Sequence, residues 1–389
     1  MNRLGIYVQV PFCQTKCTYC NFHTGVVSSA RFAPYVACVC SEIAGHRGLY
    51  EAGGIALPAS LADAVVDTIY IGGGTPSLLD PGHLRRIVEA VRGNFACELT
   101  EVTLEADPET VTDEKAAAWV GAGINRVSFG VQSFCDEELQ AAGRMHRRAD
   151  VYRSAGILRG AGIGNISFDL IAGLPKQTRA TWRESLDSLV ELAPEHVSVY
   201  LLEVDEGSRL GSELLRRGNR YSAGDVPGDD EMAEFYETAC SVLGAASYEH
   251  YEISNWGRPG FASRHNLKYW RREAYLGFGA GAHSFSGTER WANAHDAADY
   301  VNAITAGRLP VEQIEKLTAE SALEEELFLG LRQLGGIDLG RIEKDYGVSL
   351  DSRFERLTSA GLVEREGSLV RLAPGRVSVS NEVFVELMK

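Results

Sequence analysis

The sequence predicts an α/β protein: a partial (β/α)6 barrel followed by a small, mostly helical, winged-helix-like C-terminal domain. Three observations carry this expectation. Apolar, β-branched runs recur roughly every thirty residues between residues 4 and 202, and helix-like stretches lie between them, the alternation that builds parallel βα units. Polar and glycine-rich segments run off the ends of successive runs, and in a parallel barrel that rim carries the chemistry.

The strands read, in order, "LGIYVQV" (4–10), "VDTIYIG" (66–72), "TEVTLEA" (100–106), "INRVSFGV" (124–131), "GNISFDLI" (164–171) and "HVSVYLL" (196–202). Helical stretches between them include 30–46, 81–94 and 178–193. Six units make an open barrel, short of the closed eight-fold form. Residues 205–231 are polar and glycine-containing and read as a loop or lid; a helix follows at 231–246, then an aromatic stretch at 248–270. From Leu317 the pattern changes to a helix behind a Thr318 cap, two shorter helices and the hairpin-like "LVEREGSLVRLAP". The expected division is a barrel over 1–245, a barrel extension over 246–310 and the small domain over 311–389.

Composition excludes several classes. The chain has 389 residues, 45% hydrophobic and 23% charged, with a net charge of −15. That balance argues against nucleic acid, whose phosphates need a basic surface, and gives no general attraction to anionic lipid. No run reaches the ~18 apolar residues of a membrane span, which still leaves room for peripheral membrane contact. The start lacks the layout of a signal peptide. The eight cysteines cluster early and then scatter, unlike a secreted disulfide framework, so a reduced, cytoplasmic protein is expected.

The densest chemical signal is "PFCQTKCTYCNF" (11–22), where Cys13, Cys17 and Cys20 stand in a C-x3-C-x2-C pattern. Three thiolates so close bind a soft metal. Structural zinc normally takes four ligands, with His23 the nearest candidate for a fourth. An iron–sulfur cube held by three cysteines would keep one iron open. Both stand on the triplet alone. The rest of the rim adds "GGGTP" (72–76), whose backbone N–H groups are free of blocking side chains, Glu105 beside "DP", Gln132, and Arg144, which can pair with a carboxylate. Asp169 lies in the apolar "ISFDLIAG", where a carboxylate needs a partner, a ligand hydroxyl pair or a buried cation. Together they suit a ligand with an amino acid at one end and a ribose at the other.

The triplet, "GGGTP", "EADPE", "GVQSF" and "DLIAGLP", in this order from Tyr7 to about Phe285, resemble the radical S-adenosylmethionine superfamily. Within it they are similar to the branch of oxygen-independent coproporphyrinogen III oxidase and the haem chaperones of the HemW type. The resemblance implies a 4Fe–4S cluster on Cys13, Cys17 and Cys20, with the methionine end of S-adenosylmethionine on the open iron. It sets Tyr7 and Tyr19 beside the cluster and ligand, and Gly73, Gly74 and Thr75 at the methionine amino group. It assigns Glu105 to S-adenosylmethionine, Arg144 to its carboxylate, and Gln132 and Asp169 to the ribose hydroxyls. An electron passed through the cluster would cleave the sulfonium to a 5′-deoxyadenosyl radical.

Two features divide the branch. The oxidase has a further cysteine two positions after the third, where this chain has Phe22. "RHNLKYW" (264–270) resembles the HNxxYW motif of the chaperones, with His265 as the implied haem ligand and His283 a second candidate. A histidine held within an aromatic cluster is the competing reading of His265. The first expectation is therefore a chaperone that binds haem and passes it to acceptor haemoproteins, supplied with electrons by a donor such as flavodoxin or ferredoxin. The others are conversion of coproporphyrinogen III to protoporphyrinogen IX, or anaerobic radical modification of haem.

Overall fold

The computed structural model describes residues 2–387; the outermost ends of the expected first and last segments, residue 1 and residues 388–389, lie outside it. The principal strands of the barrel are β1 (Arg3–Val10), β2 (Val65–Gly73), β3 (Ala96–Ala106), β4 (Arg126–Gln132), β5 (Ile166–Ala172) and β6 (His196–Leu201). They lie side by side in chain order, every neighbouring pair parallel. Helices α1 (Phe32–Ala52), α2 (Pro81–Asn94), α3 (Asp113–Ala122), α4 (Arg148–Gly160) and α5 (Arg179–Leu192) make the crossovers.

Local sequence explains where these helices start and stop. The Asp80 side chain accepts from the Gly82 N–H ahead of Pro81, Thr112 from Lys115, and Thr178 from Thr181, each satisfying a free amide of a first turn. Gly123 ends α3 at φ +92°, a left-handed cap that costs glycine nothing. The outer strand faces bury Ile6, Val8, Ile69, Ile71, Val102, Leu104, Val127 and Phe129 against Val39, Ile43, Ile87, Val91, Trp119 and Leu158 of the helices. Burying each such side chain contributes roughly 1.5–3 kcal/mol.

The sheet extends well past six strands. Beyond β6 lie the short β8 (Asn255–Gly257) and β7 (Glu249–Glu252), both antiparallel. On the other side, β9 (Tyr275–Phe278) runs parallel to β1, and β10 (His283–Phe285), β11 (Glu289–Asn293) and β12 (Val311–Lys316) continue antiparallel to a total of twelve strands. The six-unit pattern misses these because four-residue runs such as "YLGF" carry too few periods to register as strands. Their pairing comes from the β1 edge, not from local propensity.

Buried Glu42 of α1 ties this extension to the barrel. It accepts hydrogen bonds from the Gly279 N–H (2.9 Å), the Asn293 side-chain amide (2.7 Å) and the Tyr300 hydroxyl (2.6 Å). The stretch 205–231, read as loop or lid, contains the helix Arg209–Leu215, capped by Ser208, and a 3-10 run, Arg220–Asp225. The C-terminal region has its own apolar cluster, including Leu327, Ile342, Phe354, Val370 and Phe384. Here Thr318 caps α6 (Ala319–Arg332) through the Ser321 N–H, and three short strands, Ile337–Asp338, Val363–Glu366 and Leu369–Leu372, form the wing.

Candidate functional site

A cavity of about 650 Å³ opens at the carboxyl ends of the barrel strands. Its wall gathers Cys13, Cys17, Tyr19 and Cys20 with Gly73, Gly74, Thr75, Glu105, Gln132, Arg144 and Asp169. These residues come from four strands, the loop carrying Arg144 and the cysteine loop, so the barrel alone brings them together. Tyr7 stands behind this wall: its hydroxyl bonds the Gln9 side chain and its ring stacks on Tyr70 at 6.1 Å.

The three cysteines are half-buried and free of disulfides. Burial pushes the thiols of Cys13 and Cys20 up. Their loop is anchored by a short parallel pairing of Phe12–Cys13 with Gly25–Val26 and by the Thr18 N–H donating to the Ala142 carbonyl at 3.0 Å. Among the described residues, no three His, Cys, Asp or Glu side chains converge on a single metal-ion position.

The role expected of "GGGTP" needs correcting. Its N–H groups are not open to a ligand: Gly73 donates to Glu105 at 2.8 Å, Gly74 to the Val10 carbonyl at 2.8 Å and Thr75 to the Phe12 carbonyl at 2.7 Å. What the glycines supply is closeness. A Cβ on Gly74 would sit 2.5 Å from the Phe12 oxygen and 2.9 Å from Cys13 Sγ, and one on Gly73, whose φ is +116°, 2.7 Å from the Gln9 side chain. The turn can thus lie flat against the cysteine loop only without side chains.

Glu105 also accepts from the Tyr70 hydroxyl at 2.9 Å. Burial pushes its carboxyl up to about 7, against the pull of the Gly73 N–H and Tyr70, with Asp169 and Asp107 adding repulsion. Asp169 has the partners its apolar strand demands: Ser128 at 3.1 Å and Ser167 at 3.5 Å. Burial still raises its pKa. Gln132 ends β4 at φ +65°, a left-handed conformation that costs a non-glycine residue on the order of 1–3 kcal/mol and concentrates at functional sites.

Arg144 is held by a residue that sequence reasoning missed. Its guanidinium donates to the Asp107 carboxylate, to the Gly130 carbonyl at 2.8 Å and to Cys17 Sγ at 3.4 Å. Burial works against its charge, but Asp107 outweighs this and keeps it protonated well above the ordinary arginine range. Asp107 also accepts from the Thr75 hydroxyl at 3.1 Å, linking two rim segments. The signal lies in "EADPE", where Asp107 stands two residues after Glu105. Arg126 was missed as well. It is 1% exposed, lines the cavity, and its Nε and Nη1 have no hydrogen-bond partner. Arg144 Nε is likewise unpartnered. Both arginines line the cavity, and orphaned buried guanidinium N–H groups call for acceptor oxygens, which fits a carboxylate- and hydroxyl-bearing molecule.

His265 does not present itself to the cavity. It is 1% exposed, its Nδ1 lies 2.9 Å from Thr68 Oγ1 and its Nε2 2.9 Å from the Tyr269 hydroxyl. Burial, with Lys268 and Arg126 adding to it, pushes its pKa down to about 3. The helix bearing it, Arg264–Trp270, closes the floor of the barrel, where Glu101 accepts from the N–H groups of Arg264 and His265, both at 3.0 Å. Lys268 pairs with Asp67 at 2.9 Å. The geometry is that of a histidine with both ring nitrogens hydrogen-bonded inside a buried cluster.

Comparison with known proteins agrees with this architecture. The model of the radical SAM superfamily matches residues 7–189 and that of the HemN C-terminal domain residues 317–374. The heme chaperone HemW of Bacillus subtilis is 35% identical over 384 residues, 97% of each chain. HemW of Mycobacterium tuberculosis is 34% identical over 377 residues, 96% of this chain and 92% of its own. HemW of Escherichia coli is 33% identical over 282 residues, 72% and 69% respectively. The solved coproporphyrinogen III oxidase (HemN) of Escherichia coli shares the fold at a TM-score of 0.83 and 21% identity, over 99% of this chain and 90% of its own. No helix among the described residues is long and apolar enough to cross a membrane. Radical SAM membership implies a 4Fe–4S cluster and S-adenosylmethionine, which the thiols and the unpartnered guanidinium groups of the cavity fit, and the chain belongs to the radical SAM superfamily, in the family of the HemW heme chaperones.

Proposed function

We propose that this protein is a haem chaperone: it binds haem and transfers it to acceptor haemoproteins, and it carries a radical-type cluster in its barrel. The observation that carries the proposal is the convergence of the cysteine triplet, the glycine turn, Glu105, Gln132, Arg144 and Asp169 on one cavity, in a chain related along nearly its whole length to heme chaperones. Cys13, Cys17 and Cys20 would hold the cluster, and S-adenosylmethionine would lie across the rim with its carboxylate toward Arg144 and its ribose toward Gln132 and Asp169. When bound, these groups supply one-electron cleavage of the sulfonium, with electrons from a donor such as flavodoxin or ferredoxin. The chain's own part is to orient: Tyr70 fixes Glu105, Asp107 fixes Arg144, and Tyr19 lines the cavity beside the cysteines.

Phe22, standing where the oxidase has its further cysteine, supports chaperone over oxidase. We also propose the division into 1–245, 246–310 and 311–389 for the barrel, its extension and the small domain. An anaerobic assay of reconstituted protein offered haem and coproporphyrinogen III side by side tests the function. Haem binding and transfer to an apo-haemoprotein without porphyrin oxidation is expected; decarboxylation of coproporphyrinogen, or consumption of haem, would overturn it.

A further inference from the structure

Arg126 is a buried cation that the fold leaves without a counter-ion. It is 1% exposed, it forms no ion pair among the described residues, and its Nε and Nη1 have no hydrogen-bond partner. Two carboxylates act on it from a distance, Glu101 and Asp169, and both are engaged elsewhere. Glu101 accepts from the N–H groups of Arg264 and His265, and Asp169 from the hydroxyls of Ser128 and Ser167. Keeping a guanidinium buried in this state is costly unless an anion joins it.

The anion has to come from the cavity, which Arg126 lines together with Ser198, Ile253, Ser254 and Asn266. S-adenosylmethionine does not supply it. That molecule has one carboxylate, and in the arrangement proposed above Arg144 takes it. Arg144 is anchored on the Gly130 carbonyl, further along β4 than Arg126 by about 13 Å at the strand rise of ~3.3 Å per residue. Arg126 therefore marks a second anionic group, bound nearer the floor of the barrel.

The other end of the same cavity is apolar. Arg126 opens β4, whereas Tyr200 and Leu201 close β6 at the rim. With Phe22 of the cysteine loop they line the cavity, and the three are 64% (Phe22), 42% (Tyr200) and 36% (Leu201) exposed. Large apolar side chains left exposed around a cavity mark a binding surface. The division suits a ligand with an apolar body toward the mouth and an anionic edge toward the floor. Haem is such a molecule, since both its propionates project from one edge of an apolar macrocycle. We propose that Arg126 seats a haem propionate inside the barrel, with the macrocycle lying toward Phe22, Tyr200 and Leu201. The seat rests on the haem reading above and deepens it. Asn266, on the helix of "RHNLKYW", lines the cavity as well, so the motif borders the propionate edge.

The test compares full-length wild type with Arg126→Met, which keeps an unbranched side chain but removes the charge. Each is titrated with ferric haem and with haem dimethyl ester, whose propionates are blocked, and S-adenosylmethionine binding is followed by calorimetry. Wild type should prefer haem to the ester by about tenfold or more, the scale of a buried charge-assisted bond. In Arg126→Met haem affinity should fall by that factor, the ester should bind as before, and the preference should vanish. S-adenosylmethionine affinity should hold within about twofold. The urea midpoint of the ligand-free protein should not fall, because an unpaired buried charge gives way to an apolar side chain. A lower midpoint or an unfolded variant overturns the seat by making Arg126 a structural cation. A preference that persists in Arg126→Met, or an equal loss of haem and ester, overturns it too. So does a loss of S-adenosylmethionine binding with the haem preference intact. A wild type that binds haem and ester alike overturns the seat alone, whereas one that binds no haem overturns the haem reading and the seat with it.

Discussion

The His265 imidazole and the Thr68 hydroxyl meet at 2.9 Å in the floor of the barrel, 197 residues apart in sequence. With the second ring nitrogen on Tyr269, the histidine of "RHNLKYW" locks a short helix across the open end of the sheet. Replacing it by alanine leaves a cavity and orphans two buried hydroxyls. His265→Ala should therefore lose about 2–4 kcal/mol of stability, read as a lower urea midpoint. A change within about 0.5 kcal/mol would mean that the helix is held by other contacts.

Gly74 sets the distance between the turn and the cysteine loop. Gly74→Ala puts its Cβ against backbone and a thiol sulfur, neither of which can swing aside. The variant should take up markedly less iron on anaerobic reconstitution and lose the brown 4Fe–4S absorbance. Gly45→Ala, where the nearest atom lies 3.8 Å away in Leu49, should reconstitute like wild type. Equal iron content in the two variants would refute the constraint.

Asp107 holds Arg144 in place from below. Asp107→Asn keeps the shape but removes the charge that fixes the guanidinium. S-adenosylmethionine affinity by calorimetry should fall about tenfold or more in Arg144→Gln, the scale of a lost charge-assisted bond, and by less in Asp107→Asn. Unaltered affinity in Arg144→Gln would remove it from the ligand's carboxylate.

Glu42 makes stability depend on pH. Burial pushes its carboxyl up to about 7, against three donors that favour the charge. A raised folded pKa means that the native state holds the proton longer than the unfolded chain does. The contribution is then full below the ordinary glutamate value and is lost as pH rises toward about 7, on the order of 3 kcal/mol in all. Glu42→Gln removes this dependence. The difference in urea midpoint, variant minus wild type, should grow from pH 4.5 to pH 8; a constant difference would show that Glu42 does not titrate in this window.

Much of the site was legible because its chemistry is local. The spacing of Cys13, Cys17 and Cys20, the glycines of 72–74, and charged residues at the ends of apolar runs all need specific residue types at specific places. Asp107 was harder to see, since an aspartate before proline is an ordinary turn residue and its partner Arg144 lies 37 residues on. Arg126 stood at the start of an apolar strand, where its inward direction depends on the closing of the barrel.

What the sequence determined by itself was the order of parallel βα units, the helix cap at Thr318 and the rim motifs, because periodicity and capping act within a few residues. The tertiary structure alone decided the twelve-strand sheet, since strands of three to six residues such as Tyr275–Phe278 and Val311–Lys316 acquire their pairing from a neighbouring edge. It also decided the fate of the histidines. A side chain's solvent access and hydrogen-bond partners are set by segments far away in sequence. Thus His265, the one in the motif, is sealed between Thr68 and Tyr269, while His23, His283 and His295, with no motif in common, are brought side by side from three separate segments.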